Sequence, residues 1–165
     1  MVFGHIQKPH KKYKDLNLVI VGDGAQKKEL EGVVDKLKLK KSVHFIGRVD
    51  YTDLTHYYHM ADIFVSPSLS ESFGKTLVEA GAAGIPAVAT ATTGSKEIIL
   101  DGETGFVVPI KNKKQMTEKL EILLGDEDLA QKMGERAGMH IRESFDGDVN
   151  TKKIIKLWQQ LTFDK

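Results

Sequence analysis

The chain has 165 residues, 41% of them hydrophobic and 28% charged, with a formal net charge of +1 and no cysteine. That length suits one domain with a sizeable core, and the near-neutral balance supplies no global field for nucleic acid or an anionic membrane. Without cysteine there are no disulfides, thiol nucleophiles or cysteine-held metals, and no run approaches the length of an apolar membrane span.

In chain order, Val2, Phe3 and Ile6 followed by lysines read as the end of a helix. The stretch LNLVIVG (Leu16–Gly22) reads as a strand closed by Gly22, Asp23 and Gly24, with a helix over 26–38. SVHFIG (Ser42–Gly47) is a second strand, followed by Arg48, Val49 and a helix over 53–60. DIFVSP (Asp62–Pro67) is a third strand; a short loop carrying Glu71 leads to Gly74, which opens a helix to 83. PAVAT (Pro86–Thr90) and GFVVP (Gly105–Pro109) are further strands, with helices over 95–99 and 112–124. From Asp126 the tail reads as two helices, the last carrying Val149, Ile154, Ile155, Leu157, Trp158 and Leu161 near helical spacing.

Short apolar strands alternating with helices predict an α/β fold: a doubly wound, Rossmann-like parallel sheet of about five strands, covered on both faces, with a C-terminal helical tail. Residues 1–165 read as a single domain. Such a domain normally opens with a strand in the middle of its sheet. None precedes the first helix here, so the chain reads as shortened at its N-terminus. The opening stretch also lacks the apolar core of a secretory leader, so a cytoplasmic setting is expected. Peripheral contact with the inner face of a membrane, through lysine clusters such as Lys36 to Lys41, is the secondary setting.

The segment SESFGKTLVEAGAAGIPAVAT (Ser70–Thr90) carries the chemistry. Ligands of open α/β sheets sit at the carboxyl ends of strands, where this loop falls. A helix opening at Gly74 presents unpaired N–H groups and the positive end of its dipole, suited to phosphate, and glycine lets a ligand approach the backbone. Leu77, Ala80, Gly81 and Gly84 form a small apolar stripe for close packing on the sheet, which leaves Thr76 and Glu79 on another face. Carboxylates on either side of a phosphate cradle accept hydroxyls, so a ligand with hydroxyls at both ends, such as a nucleotide-sugar, fits.

ESFGKTLVE has the Glu-x7-Glu pattern of retaining glycosyltransferases of group 1, which share the two-domain GT-B architecture. LVIVGDG, VHFIGRV, YHMADIFVSPSLSESFG, EAGAAGIPAVAT and EIILDGETGFVVP resemble the donor-binding C-terminal domain of that family in order, over residues 2–163. The resemblance implies hexosyl transfer from a UDP- or GDP-sugar with retention at the anomeric carbon, with neither cofactor nor metal. It places Glu71 beside the donor hexose as the catalytic carboxylate and Glu79 on the ribose. Backbone groups of Phe73 and Gly74 would hold hexose hydroxyls, and Lys75 and Thr76 would lie at the diphosphate, mainly through their backbone N–H groups. Arg48 and Val49 would border the base, and Gly22 and Gly24 would shape the cleft floor.

The sequence departs from the family pattern in three places. Thr93 stands where the Gly-Gly-x-x-Glu segment has its first glycine, which should narrow or stiffen that loop. Lys75 stands where an apolar residue is common. The first strand with its two cations, and the N-terminal acceptor domain, have no counterpart, so the isolated chain is expected to be inactive or very weak. Two alternatives remain: a non-catalytic nucleotide-sugar module acting with a partner chain or as a homodimer, and an epimerase-like relative. Read alone, Glu71 and Glu79 would be ordinary acids near a helix start; the ordered set of segments argues otherwise. The Gly22–Gly24 turn is no dinucleotide fingerprint, because Lys27 stands where the third glycine belongs. His56 and His59 have no third ligand near them in sequence and read as surface or packing residues, and His44 as a core or cleft histidine.

Overall fold

The computed structural model describes residues 16–163, with the backbone alone for Leu157 and 160–163. The predicted N-terminal helix end lies outside these residues. Five strands form: β1 (Leu18–Val21), β2 (Val43–Gly47), β3 (Phe64–Ser66), β4 (Ala87–Thr90) and β5 (Gly105–Val108). They alternate with α1 (Lys27–Lys36), α2 (Tyr51–His59), α3 (Lys75–Ala82), α4 (Thr93–Ile98) and α5 (Lys113–Gly125), and α6 (Glu127–Phe145) and α7 (Gly147–Phe163) form the tail.

The strand pairs are parallel, as predicted, but they form two sheets, β1–β2 and β3–β4–β5. Among the described residues no strand joins β1 to β3. In each sheet strands consecutive in the chain lie side by side, as in the halves of a doubly wound fold.

β4 explains why the larger sheet is buried on both faces. Its side chains alternate, as any strand's do. Val88 points into a cluster with Phe106, Val108, Met116, Leu120 and Met133, while Ala87 and Ala89 point into one with Leu77, Ile98, Ile99 and Ile141. The β1–β2 pair differs. Leu18, Ile20, Val43 and Phe45 pack on Val34 and Leu39 at one face, whereas Val19 and Ile46 on the other remain 39% and 40% exposed. His44 shares that outer face and bonds Asn17 at 2.9 Å, so it is not a core histidine.

The small stripe of α3 serves helix packing as well as the sheet. Leu77 meets the sheet, but a Cβ on Gly81 would stand 2.7 Å from Ile141 of α6. α6 answers with its own small residue: a Cβ on Gly134 would stand 2.0 Å from the Gly84 carbonyl oxygen. Gly84, at φ +77°, ends α3 in the left-handed turn that glycine tolerates, and Ile85 N–H returns to the Ala80 carbonyl at 3.0 Å. At the other end of α6, the Asp146 carboxylate accepts from the N–H groups of Asp148 and Val149 and starts α7. That last helix leaves Ile154, Ile155 and Trp158 largely exposed, whereas their near-helical spacing reads as a packing face.

Candidate functional site

Within each sheet the strands are parallel, so the loops after β1 and β2 open at one edge and those after β3 and β4 at one edge. The loop after β3 is fixed from the side. The Thr90 hydroxyl, buried at the end of β4, donates to the carbonyls of Ser66 and Ser68. Thr90 is tied in turn to Ser95, whose hydroxyl donates to the Thr90 carbonyl at 2.6 Å and accepts from the Thr92 N–H at 2.9 Å. Thr92 and Ser95 also form a reciprocal cap on α4. The start of α4 reaches the loop directly: Gly94 N–H donates to the Glu71 carbonyl at 3.0 Å. A Cβ on Gly94 would stand 2.4 Å from the Phe73 carbonyl oxygen and 3.0 Å from Gly74 N. Thr93 is exposed, and the close approach to the loop is made by Gly94.

That packing sets the start of α3. Gly74 is buried in the left-handed region, φ +83° and ψ +49°, and caps the helix without a side chain. The first-turn N–H groups of Lys75 and Thr76 therefore have no side-chain cap, and they sit at the positive end of the helix. Glu71 is partly buried, and its Oε2 accepts from the Ser68 hydroxyl at 3.4 Å. Phe73, 51% exposed, rests edge-on against Phe145 of α6, whose other neighbour is His140.

One turn further on, Glu79 receives the Tyr58 hydroxyl on Oε2 at 2.9 Å, while Lys75 Nζ stands 3.5 Å from Oε1. Lys75 also lies 4.7 Å above the centre of the Tyr51 ring, at the start of α2. The lysine side chain thus folds along α3 towards Glu79 and leaves the helix start to backbone N–H groups. Glu79, Tyr51, Leu54, Tyr58 and His59 line a cavity of about 240 Å³ between α2 and α3. The Tyr58 hydroxyl is held well above the ordinary phenol range, by burial first and then by its bond to Glu79 and that residue's charge.

Gly22, Gly24, Arg48 and Val49 stand at the strand ends of the smaller sheet. Gly22 N–H donates to the Gly47 carbonyl at 2.7 Å, which holds the two loops side by side, and Arg48 is exposed. The Tyr51 ring, at the start of α2 just after this loop, lies under the Lys75 ammonium. The structure therefore gathers Glu71, Phe73 and Gly74 around the loop after β3, and Lys75 and Glu79 around Tyr51 and Tyr58. The sequence reading did not single out Thr90, Gly94, Ser95 or Tyr58. The glycine of TTGS and the tyrosine pair of HYYH were the only signals available for them. Among the described residues no group of three or more histidine, aspartate or glutamate side chains is placed to hold a metal ion. No helix among them is long and apolar enough to cross a membrane.

Parallel strands alternating with helices define an α/β, Rossmann-like fold, with two carboxylates flanking the start of α3. The chain belongs to the glycosyl transferases group 1 family, which matches residues 2–139. It is similar to the N-acetyl-alpha-D-glucosaminyl L-malate synthase of Bacillus anthracis, 31% identical over 150 residues that cover 91% of this chain and 38% of that protein. Among solved structures it is similar to the C-terminal domain of the group 1 glycosyl transferase LpcC from Francisella tularensis. That match has a TM-score of 0.80 and 31% identity, and it covers 87% of this chain and 76% of that one. It also resembles Anabaena HepE, solved in complex with UDP, with a TM-score of 0.83 over 96% of this chain and 44% of that one; at 22% identity this likeness concerns the fold. The chain spans 38% to 42% of the length of three curated relatives it matches.

Proposed function

We infer that this chain is the donor-binding half of a retaining glycosyltransferase that takes a UDP- or GDP-hexose. The observation that carries the reading is the start of α3: a left-handed Gly74 without a capping side chain, pressed into place by Gly94, with Glu79 one turn away beside a cavity. In this reading the diphosphate lies at the N–H groups of Lys75 and Thr76 and the ribose hydroxyls meet the Glu79 carboxylate. The base reaches towards Arg48 and Val49, above the floor formed by Gly22 and Gly24. Glu71 and the Phe73–Gly74 backbone face the hexose.

The chemistry follows from that placement. As the anomeric C–O bond breaks, its electron pair leaves with the diphosphate, and the helix start stabilises the growing negative charge. Glu71 supports the positive charge left on the sugar. The acceptor hydroxyl adds to the same face of the anomeric carbon and gives up its proton. No metal is required, and the acceptor-binding domain belongs to another part of the protein or to a partner chain.

A second reading is a non-catalytic nucleotide-sugar module that acts with a partner chain. It draws on the lack of a strand joining β1 to β3 among the described residues, since unpaired strand edges invite pairing with another chain.

Calorimetric titration of UDP, UDP-glucose and GDP-mannose into the wild type and into Glu79→Ala tests the donor reading. Saturable binding of one nucleotide is expected, weakened about tenfold or more by loss of a charged hydrogen-bond acceptor. Equal binding by both proteins would remove Glu79 from the site.

A further inference from the structure

We propose that Tyr58 is a positioning residue for the donor: its hydroxyl anchors one oxygen of Glu79 so that the other is presented to the ribose. The inference rests on the donor-binding reading of Glu79 and extends it to a residue outside the Glu-x7-Glu segment.

The two oxygens of Glu79 are held differently. Oε2 accepts a 2.9 Å bond from Tyr58, part-buried between α2 and α3. The tyrosine ring lies 5.9 Å, centre to centre, from Phe64 of β3, and its hydroxyl comes within 3.5 Å of the Thr76 carbonyl. The donor therefore belongs to the packed framework and has few alternative positions. Among the described residues Oε1 meets the Lys75 ammonium alone, 3.5 Å away on a side chain that is 68% exposed. Exposed pairs of this kind contribute little and exchange readily. A ligand hydroxyl can replace the lysine on Oε1 but not the tyrosine on Oε2. A carboxylate pinned at one oxygen meets a diol without spending the freedom of its own torsions, which is how preorganisation raises affinity. The phenol is protonated at neutral pH, and burial and the bond to Glu79 push its pKa further up, so it remains the donor.

The test compares UDP with 2′,3′-dideoxy-UDP on the 165-residue chain, as wild type, Tyr58→Phe, Glu79→Ala and the double variant. The wild type is expected to prefer UDP by about tenfold, the scale of one or two charge-assisted hydrogen bonds. Tyr58→Phe should lose most of that preference and keep its affinity for the dideoxy nucleotide within about twofold, because only the orientation of the carboxylate changes. In the Glu79→Ala background the same change should have no further effect on UDP. Tyr58→Phe retaining the full preference would overturn the proposal, and so would equal weakening of both ligands, which marks a scaffold role. Absence of any preference in the wild type, or of binding altogether, would instead overturn the reading of Glu79 and this inference with it.

Discussion

Gly94 touches the Phe73 peptide so closely that a single added carbon would sit 2.4 Å from the carbonyl oxygen. The contact joins the cap of α4 to the turn that opens α3, so the loop bearing Glu71 and Phe73 cannot move without moving α4. Gly94→Ala should force the backbones apart and destabilise the fold by about 1–3 kcal/mol, the usual range for overpacking. Nucleotide affinity should fall further than stability alone explains, because Gly74 is displaced. Thermal unfolding together with calorimetric titration separates the two effects; unchanged affinity would mean that the helix start does not contact the ligand.

The α3–α6 contact gives a sharper contrast. A Cβ on Gly134 would overlap the Gly84 carbonyl oxygen at 2.0 Å, whereas one on Gly32, within α1, meets nothing within 4 Å. Gly134→Ala should lower stability, while Gly32→Ala should raise it by about 0.5–1 kcal/mol through helix propensity. Urea unfolding of the two variants beside the wild type measures both signs.

Alkaline stability reports on the Tyr58–Glu79 bond. Folding raises the pKa of Tyr58, chiefly by burial, so the folded chain keeps a proton that the unfolded chain gives up. The stabilisation is fully present below about pH 10, the ordinary phenol value, and is lost as the pH climbs towards the folded value. Between about pH 9 and 11 the wild type should therefore lose stability faster than Tyr58→Phe, whose ring has no proton to lose. Denaturant midpoints measured across that range test it; parallel slopes would show that the phenol is not protected.

Much of this arrangement was legible in the residues. β-branched runs such as LVIV and AVAT marked the strands because they fit a pleated, buried surface, and Gly74 between Glu71 and Glu79 marked the helix start at a strand's carboxyl end. Other features depend on contacts between distant segments, which no local pattern records. Gly94 appeared as the second residue of an altered glycine pair, and only its closeness to Phe73 shows why it has no side chain. Tyr58 looked like one of two adjacent aromatic residues on a helix, and its bond to Glu79 spans 21 positions. The core half of the His44 reading failed because a strand covered on both faces was expected, whereas the β1–β2 pair is packed on one face by α1. Lys75 was expected beside the diphosphate mainly through its backbone N–H, and only the structure shows that its side chain lies along α3 against Glu79 and Tyr51.

The central claim, that the start of α3 and Glu79 hold a nucleotide, is tested most directly by following the amide resonances of the isotope-labelled chain as UDP is added. The account predicts saturable shifts concentrated on Gly74, Lys75, Thr76 and Glu79, extending to Arg48 and Val49. Shifts confined to other surfaces, or none up to millimolar UDP and GDP, would contradict it.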